Sequence, residues 1–425
     1  NTAEPINIEW NPNVRASYNI KTHSGNIVDC YTAIDGLLAT FPNRHVSIKV
    51  PARYPLAFAL SNSIKLGQNT LIVGDRVFFP QQSTAPGDTT RFSSGSTFYC
   101  YNNTPNFETL TTSGFRCQSN IIKDICSVGT GKTNGATALR LPSNSNGQPG
   151  LTVLHGYNIS DFTTGIDYLS ANDVQIDLLT DIVNCRVGIR GKGNSLHMQM
   201  SEIAFCDTLM KIKCQLTQIV NNQFSISSKG IYLDSLVNSD VSKNIIYNIN
   251  GDIITMGPGC ISNTINDNIM PNPGRYALYF NGAGVDNSVQ GNQVTSNTTN
   301  ALYARQTSRL YIANNKFIEP IGTSFTAIRF DTCTNVLMGV NNMDSYQLNK
   351  RIQTSAQTTF STNDMFSNIA VRQTESNLFP AYTIYNSGGS NSSPSFITNG
   401  TEFGNFAWAE GNPSNSLRSA HITAV

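Results

Sequence analysis

The middle of the chain carries pairs of apolar residues that lie five positions apart and recur at intervals of 19 to 26 residues. The pairs are Leu178/Val183, Met200/Phe205, Ile219/Phe224, Val241/Ile246, Ile265/Met270, Val289/Val294, Ile312/Phe317 and Met338/Met343. Three positions after the first member stands an asparagine, at Asn222, Asn244, Asn268, Asn292, Asn315 and Asn341. Asp181 takes this place in the first repeat, and Ile203 interrupts the asparagine column in the second.

Each repeat also contains a second stretch in which apolar and polar residues alternate, as at positions 230–234, 277–281, 301–305 and 327–331. Successive side chains of a β-strand point to opposite faces, so the apolar residues predict an inner face and the polar ones an outer face. Short β-branched, Asn-rich repeats are typical of a parallel β-solenoid and not of a helical one. We therefore predict an all-β fold, a right-handed parallel β-helix.

Stacked coils of such a solenoid lie about 4.8 Å apart, so equivalent side chains form columns. The asparagine column is then structural. Asn tolerates a left-handed turn between strands, and its amide can bond to the same residue of the next coil.

The N-terminal part predicts one short helix followed by strands. Asp29 precedes apolar residues at helical spacing, which are Ala33, Ile34, Leu37, Leu38 and Phe41, and Pro42 ends the pattern. Strands are predicted at 46–51, 64–66 and 70–74. We expect an N-terminal extension over 1–28, the β-helix over 29–349 with a capping helix at 29–41, and a C-terminal β cap or trimerisation region over 350–425.

Composition excludes several classes of protein. The 28 Lys plus Arg against 27 Asp plus Glu give a formal net charge of +1, whereas a nucleic-acid-binding protein usually carries a basic excess. No apolar run approaches the roughly 20 residues that cross a bilayer, so we expect no membrane insertion. The nine cysteines contain no CxxC pair, which predicts free thiols and folding in a reducing cytoplasm. We expect no cofactor and no metal.

The stretch from Asp29 to Gly74 resembles the first segment of the pectin-lyase-like right-handed β-helix. It has an Asp, a short Ala/Ile/Leu helix, a strand ending in Pro, and the run Ile64-Lys-Leu66 followed by Thr70-Leu-Ile-Val-Gly74. With the Asn-rich coils, the resemblance covers about residues 25 to 345.

Among proteins with this fold the chain is similar to bacteriophage tailspikes, the depolymerases of bacterial capsule or O-antigen. The shared features are a neutral Asn/Ser/Gly-rich composition, unpaired cysteines, a β-rich C-terminal part and the lack of a signal segment. The resemblance implies a homotrimer in the virion that binds and cleaves a surface polysaccharide outside the host after folding in its cytoplasm. It also implies attachment to a phage tail or baseplate protein through an N-terminal part that this sequence does not include.

The outer face of the alternating stretch forms a candidate glycan-binding stripe. Aromatic faces pack on sugar rings, and cationic side chains hold hydroxyl and carboxylate groups. The candidate residues are Arg190, Lys211, Tyr232, Tyr279, Tyr303, Arg305 and Arg329, with Lys192, Lys213, Asp234 and Asp331 beside them. A β-solenoid also needs polar residues on its surface, and some of these could lie between subunits.

Hydrolysis of a glycosidic bond needs two carboxyl groups, about 5–5.5 Å apart for retention and about 6.5–9.5 Å apart for inversion. Asp181 and Glu202 lie at nearly equivalent positions of adjacent coils, and Asp177 is predicted to point outward. These three are the first candidates, followed by Asp234 beside the stripe. Asp in a turn is, however, commonly a turn-former.

Two other activities stay open. A lyase needs a base and a cation that holds a uronic carboxylate, and His197 with Arg190 and Lys211 in neighbouring coils could supply them. A non-catalytic adhesin would use the same stripe for binding alone, and a secreted polysaccharidase is a further alternative.

Overall fold

The computed structural model describes residues 4–22, 24–41, 44–67, 69–75, 95–109, 119–142, 151–176, 180–295, 299–318, 326–343, 346, 352–355, 358, 371–373 and 381–383. The chain divides into two compact units, Asn1–Ile245 and Ile246–Val425.

The first unit contains a 3-10 helix at Ile8–Trp10, one α-helix and the first twenty strands. The elements are α1 (Tyr31–Ala39), β1 (Ile6–Asn7), β2 (Tyr18–Asn19), β3 (Ser47–Val50), β4 (Leu56–Leu60), β5 (Ile64–Leu66), β6 (Leu71–Gly74), β7 (Ser96–Cys100), β8 (Phe107–Thr109), β9 (Asn120–Val128), β10 (Thr137–Leu141), β11 (Thr152–Ser160), β12 (Thr164–Ile176), β13 (Asp181–Val183), β14 (Val187–Gln199), β15 (Glu202–Ala204), β16 (Thr208–Cys214), β17 (Thr217–Val220), β18 (Gln223–Ser227), β19 (Lys229–Leu233) and β20 (Asp240–Ser242).

The strands after these are mostly three or four residues long, and the first of them starts at the boundary residue Ile245. They are β21 (Ile245–Ile249), β22 (Ile254–Met256), β23 (Thr264–Asn266), β24 (Ile269–Pro271), β25 (Leu278–Asn281), β26 (Ser288–Gln290), β27 (Gln293–Thr295), β28 (Leu302–Arg305), β29 (Tyr311–Ala313), β30 (Lys316–Ile318), β31 (Ile328–Asp331), β32 (Leu337–Met338), β33 (Ile352–Thr354), β34 (Val371–Gln373) and β35 (Ala381–Thr383).

Strands of successive coils pair in parallel within the first unit. One ladder runs through β12, β14, β16 and β19, a second through β11, β13, β15 and β18, and a third through β14, β17 and β20. Ile182, Ile203 and Phe224 lie in register and are fully buried. The core of this unit is therefore a set of interior columns, as predicted.

The second unit repeats the arrangement with three strands in each coil. Its ladders are β22–β25–β28–β31–β33, β23–β26–β29–β32 and β24–β27–β30. The interior column Ile265, Val289, Ile312 and Met338 lies in register. β34 and β35 form a separate antiparallel pair.

The asparagine column forms the predicted amide ladder. In the second unit, Asn268 donates to Asn292 at 2.9 Å, Asn292 to Asn315 at 2.9 Å, and Asn315 to Asn341 at 2.9 Å. One detail of the prediction is wrong, because the left-handed residue is the one that precedes the asparagine at five of the six ladder positions, as at Asp267 with φ 54° and Asn314 with φ 58°. The preceding residue makes the turn, which leaves the amide free to point inward and bond along the column.

The first two predicted repeats are out of register with the structure. In the first, Ile182 and not Val183 stacks on Ile203, and Leu178 lies outside the described residues. Met198 and Ile203, not Met200 and Phe205, stack on Ile219 and Phe224. Met200 adopts φ 49° in the turn and is half exposed. The asparagine position of this coil is accordingly Ser201, whose N–H donates to Asn222 Oδ1 at 3.1 Å.

Helix α1 begins after Asp29 and ends before Pro42, within the predicted 29–41, and it buries Ile34 and Leu38. β1, which the predicted boundary leaves in the N-terminal extension, pairs in parallel with β3. Most of the predicted C-terminal cap lies outside the described residues, so its role stays a prediction.

The eight cysteines that the structure describes are buried, and none of them forms a disulfide. In the described part of the chain, α1 is too short to span a bilayer, and no other helix qualifies.

Candidate functional site

The strands of the first unit place charged side chains in one outward column. Register joins, in order, Glu108, Arg140, Asp167, Arg190, Lys211 and Tyr232. Charges of opposite sign alternate over the first four positions, and Arg140 Nη1 lies 3.8 Å from Glu108 Oε1. The predicted neighbours Arg190, Lys211 and Tyr232 are thus brought together, one coil apart.

Arg190 is held in place by a buried carboxylate. Its Nε donates to Asp167 Oδ1 at 3.1 Å and its Nη2 to Asp167 Oδ2 at 2.6 Å. Asp167 is 3% exposed, whereas the Arg190 side chain is half exposed. The hydrogen bonds that Arg190 donates to Asp167 raise the pKa of the guanidinium. The fork geometry fixes the orientation of a cation that still reaches solvent.

Asp234 lies beside cations and not beside a second carboxylate. Lys192 and Lys213 are in register on β14 and β16, and Lys213 Nζ is 3.7 Å from Asp234 Oδ2. Ser235 Oγ donates to Asp234 Oδ1 at 3.2 Å. These contacts suit an acceptor that balances charge, and they give Asp234 no carboxyl partner for hydrolysis among its described neighbours.

Asp181 and Glu202 lie directly opposite each other on adjacent coils. Asp181 opens β13 and Glu202 opens β15, and the two residues are in register. Both are half-buried. Like charges directly opposite each other in a sheet are destabilising when both groups are ionised. Asp177, the third predicted carboxylate, lies outside the described residues.

His197 lies in a different column from the cations predicted to assist it. It is exposed on β14, its register partner is Gln218, and its Nδ1 lies 3.1 Å from Gln218 Oε1. Arg190 pairs instead with Lys211. The structure does not join the three residues of the lyase hypothesis in one column.

In the second unit, three tyrosines and two arginines form what we call the Tyr–Arg cluster: Arg275, Tyr276, Tyr279, Tyr303 and Arg329. Tyr279 and Tyr303 are stacked, with ring centroids 5.4 Å apart and an interplanar angle of 8°. Tyr276 contacts both rings, at 5.3 and 5.1 Å. Arg275 Cζ lies 5.0 Å from the centroid of Tyr276 and 5.3 Å from that of Tyr279, and Arg329 Cζ lies 5.2 Å from that of Tyr303.

Two carboxylates hold the ends of the cluster. Asp252 pairs with Arg275, whose Nε donates to Asp252 Oδ1 at 2.6 Å, and the same oxygen accepts the N–H of Tyr276 at 3.2 Å. Asp331 Oδ2 accepts from Tyr303 Oη at 2.5 Å and from Arg329 Nη2 at 3.1 Å. Each arginine is paired with a carboxylate and also packed on a ring, and these contacts restrain the orientation of its guanidinium group.

The geometry changes the expected mode of sugar contact. Tyr279 and Tyr303 turn one face toward each other, so those faces are not available to a sugar ring. The cluster instead offers ring edges, the hydroxyls of Tyr276 and Tyr279, and guanidinium N–H groups. Burial, and then the hydrogen bond to Asp331, raise the pKa of Tyr303 to about 12, so its hydroxyl stays protonated at neutral pH.

Tyr279, Tyr303 and Arg329 lie in one column, as the alternating pattern predicts, whereas that pattern does not indicate Arg275, Tyr276 or Asp252. These three precede their strands, where the alternating pattern does not extend. Arg305 lies in the neighbouring column, in register with Asn281 and Asp331, and it is exposed.

The cluster lacks a pair of carboxylates at glycosidase spacing among its described residues. Asp252 and Asp331 stand three coils apart, roughly 14 Å along the axis at about 4.8 Å per coil, beyond the roughly 9.5 Å that inversion allows. The cluster is therefore suited to binding. No group of three or more metal-ligating side chains occurs in the part of the chain that the structure describes.

The chain is similar in structure to DFA-IIIase from Arthrobacter chlorophenolicus A6. In complex with GF2, that enzyme aligns with a TM-score of 0.53 at 14% identity over 84% of this chain and 93% of its own. In complex with DFA-III, it aligns with a TM-score of 0.51 at 13% identity over 80% and 91%. The A-module of the mannuronan C-5 epimerase AlgE4 from Azotobacter vinelandii aligns at 0.38, with 9% identity over 84% and 100%.

These likenesses show the fold, a right-handed parallel β-helix, and confirm the predicted fold class. Both proteins are enzymes by name, and the second is an epimerase of mannuronan. No protein-family model and no curated protein sequence matches the chain.

Proposed function

We propose that the protein binds a bacterial surface polysaccharide, a capsule or an O-antigen, and cleaves it by glycosidic hydrolysis as a phage tailspike depolymerase. The observation that carries this proposal is the Tyr–Arg cluster. It presents aromatic edges, hydroxyls and two fixed guanidinium groups on one face, a combination suited to the mixed apolar and polar surface of a sugar chain.

Asp181 and Glu202 are the proposed catalytic pair. Across adjacent parallel strands their Cα atoms are about 4.8 Å apart, which suits the roughly 5–5.5 Å between carboxyl groups of retaining enzymes. One carboxyl group protonates the leaving oxygen and the other attacks the anomeric carbon. Water then releases the glycosyl-enzyme intermediate, with the first residue acting as base.

The test is depolymerisation of purified capsules and O-antigens from a panel of bacteria. Hydrolysis releases reducing ends without a rise in ultraviolet absorbance. An unsaturated, absorbing product would identify a lyase, and tight binding with unchanged viscosity would identify an adhesin. Either result would refute the proposed reaction.

The role of the Tyr–Arg cluster is tested separately by the double variant Tyr279→Ala/Tyr303→Ala. Tyr311→Ala, a half-buried tyrosine on β29 outside the cluster, is the matched control. We expect weaker binding of the polysaccharide only in the double variant. Equal binding by both variants would remove the cluster from the proposal.

As part of the tailspike proposal, we expect the protein to be a homotrimer. This expectation rests on the resemblance in sequence. Light scattering should then give three times the chain mass of 46.3 kDa. A mass of one chain would contradict this part of the proposal and leave the activity open.

A further inference from the structure

Four basic side chains form a two-by-two array on two consecutive coils of the first unit. Arg190 pairs in register with Lys211, and Lys192 with Lys213. Adjacent strands are about 4.8 Å apart, and residues two apart on one strand are about 6.6 Å apart on the same face. All four residues are exposed. Four positive charges thus lie at the corners of a small rectangle, which we call the basic array.

The backbone beneath the array is fixed by the core. Gly191 and Ile212, the residues between the cations, face inward and are buried. A Cβ on Gly191 would overlap the ring of Tyr168, which is itself fully buried. The strands therefore cannot rotate to separate the charges.

Charges of opposite sign alternate along the outward column up to Arg190, and the alternation ends at the basic array, where Lys211 follows Arg190. Arg190 is paired with Asp167, and Lys213 lies near Asp234 at 3.7 Å. Within the described residues, neither Lys192 nor Lys211 takes part in an ion pair. Like charges opposite each other on neighbouring strands destabilise a sheet. A bound anion would remove this repulsion.

We propose that the basic array binds the anionic substituents of an acidic polysaccharide, which are carboxylate, sulfate or phosphate groups carried on sugars. Tyr232 follows Lys211 in the same column, so an aromatic ring lies next to the cations where a sugar would continue. The formal net charge of +1 and an array of only four cations do not suit a nucleic acid. The inference rests on the proposed function, because it assigns charge to the glycan.

The experiment compares the Lys192→Gln/Lys211→Gln double variant with the full chain. The matched control is Lys229→Gln/Lys243→Gln, which removes two exposed cations of the same unit away from the array. Binding is measured by calorimetry against a polyuronate, a neutral dextran of similar length and a single-stranded oligonucleotide, at low and at physiological salt. Thermal unfolding of each variant reports on its folding.

We expect the array variant to bind the polyuronate at least about tenfold more weakly, a change of about 1.4 kcal/mol, because it loses the charge-assisted hydrogen bonds of two cations. The control should bind like the full chain. Inorganic phosphate or sulfate should compete with the polymer. The array variant should also unfold at the same or a higher temperature, because its repulsion is relieved.

Equal polyuronate binding by the array variant and the control would overturn the inference, as would equal binding of dextran or tighter binding of the oligonucleotide. The two proposals fail in different ways. Reducing ends released only from neutral polysaccharides would refute the array and leave the hydrolase. Array-dependent polyuronate binding, with no reducing ends from any polysaccharide tested, would support the array and refute the hydrolase.

Discussion

Replacing Glu202 with Gln removes one carboxylate of the catalytic pair and keeps the size of the side chain. Glu202 and Asp181 are in register on adjacent strands, so their Cα separation of about 4.8 Å suits retention of configuration. A general acid or base contributes about 10²–10⁴-fold to the rate. We therefore expect kcat to fall by about 10²–10⁴ in Glu202→Gln and in Asp181→Asn, with little change in KM.

The assay follows reducing ends on the cleaved polysaccharide and identifies the first-formed anomer by proton NMR. Asp286→Asn is the matched control, because Asp286 is half-exposed and forms a surface ion pair with Arg309, a contact of about 0–1 kcal/mol. The double variant Asp181→Asn/Glu202→Gln should be no slower than the slower single variant, since the two groups act as one unit.

Two results would refute this reasoning. A Glu202→Gln variant that retains more than about a tenth of the wild-type kcat would show that its carboxylate is not the acid or the nucleophile. An inverted product would mean that the reacting carboxyl groups are farther apart than this register allows.

Three further predictions concern stability. Burial and the hydrogen bond to Asp331 raise the pKa of Tyr303 from 10.0 to about 12. The unfolded chain therefore loses this proton at a lower pH than the folded chain, so the free energy of unfolding falls as pH rises between about 10 and about 12. Denaturation at stepped pH should show a shallower fall of this free energy in Tyr303→Phe. Equal slopes for the variant and the wild type would contradict this. Asn292→Ala interrupts the amide ladder, where Asn292 Oδ1 accepts two hydrogen bonds from Asn268. The free energy of unfolding, measured in guanidinium, should therefore fall by about 2–5 kcal/mol. A fall below about 1 kcal/mol would be inconsistent with a buried ladder. In Gly191→Ala the added Cβ overlaps the Tyr168 ring, and this overpacking should destabilise the protein by about 1–3 kcal/mol and lower its Tm. The matched control is Gly36→Ala on α1, where the added Cβ meets open space, and it should leave Tm unchanged or raise it.

The interior columns were predictable because burial imposes the same spacing on every coil. Ile219 and Val241 lie in register as the repeat predicts. The prediction is wrong at Met200, because this residue lies in a left-handed turn but is apolar, like a residue of the core. Side-chain type alone does not separate an exposed turn methionine from a buried one.

The candidate site was predictable only where it follows the alternation. Tyr279, Tyr303 and Arg329 were found as outward residues of successive coils. Arg275 and Tyr276 were not, because they belong to a turn whose path no local pattern specifies. The hydrogen bonds that Tyr303 and Arg329 donate to Asp331 also depend on side-chain geometry, which the spacing of residues along the sequence does not specify.

The amino-acid sequence by itself determined the coil, its period and the outward or inward direction of most strand residues, since these follow from apolar periodicity and the two-residue repeat of a strand. Tertiary structure alone decided the residue-by-residue register in which the predicted neighbours stack. Stacking puts Arg190 on Lys211 and Asp181 on Glu202 across 21 positions of chain. Stacking also keeps His197 in a different column from Arg190 and Lys211. The register between coils depends on the length of the turns, and it is fixed only when the coils stack.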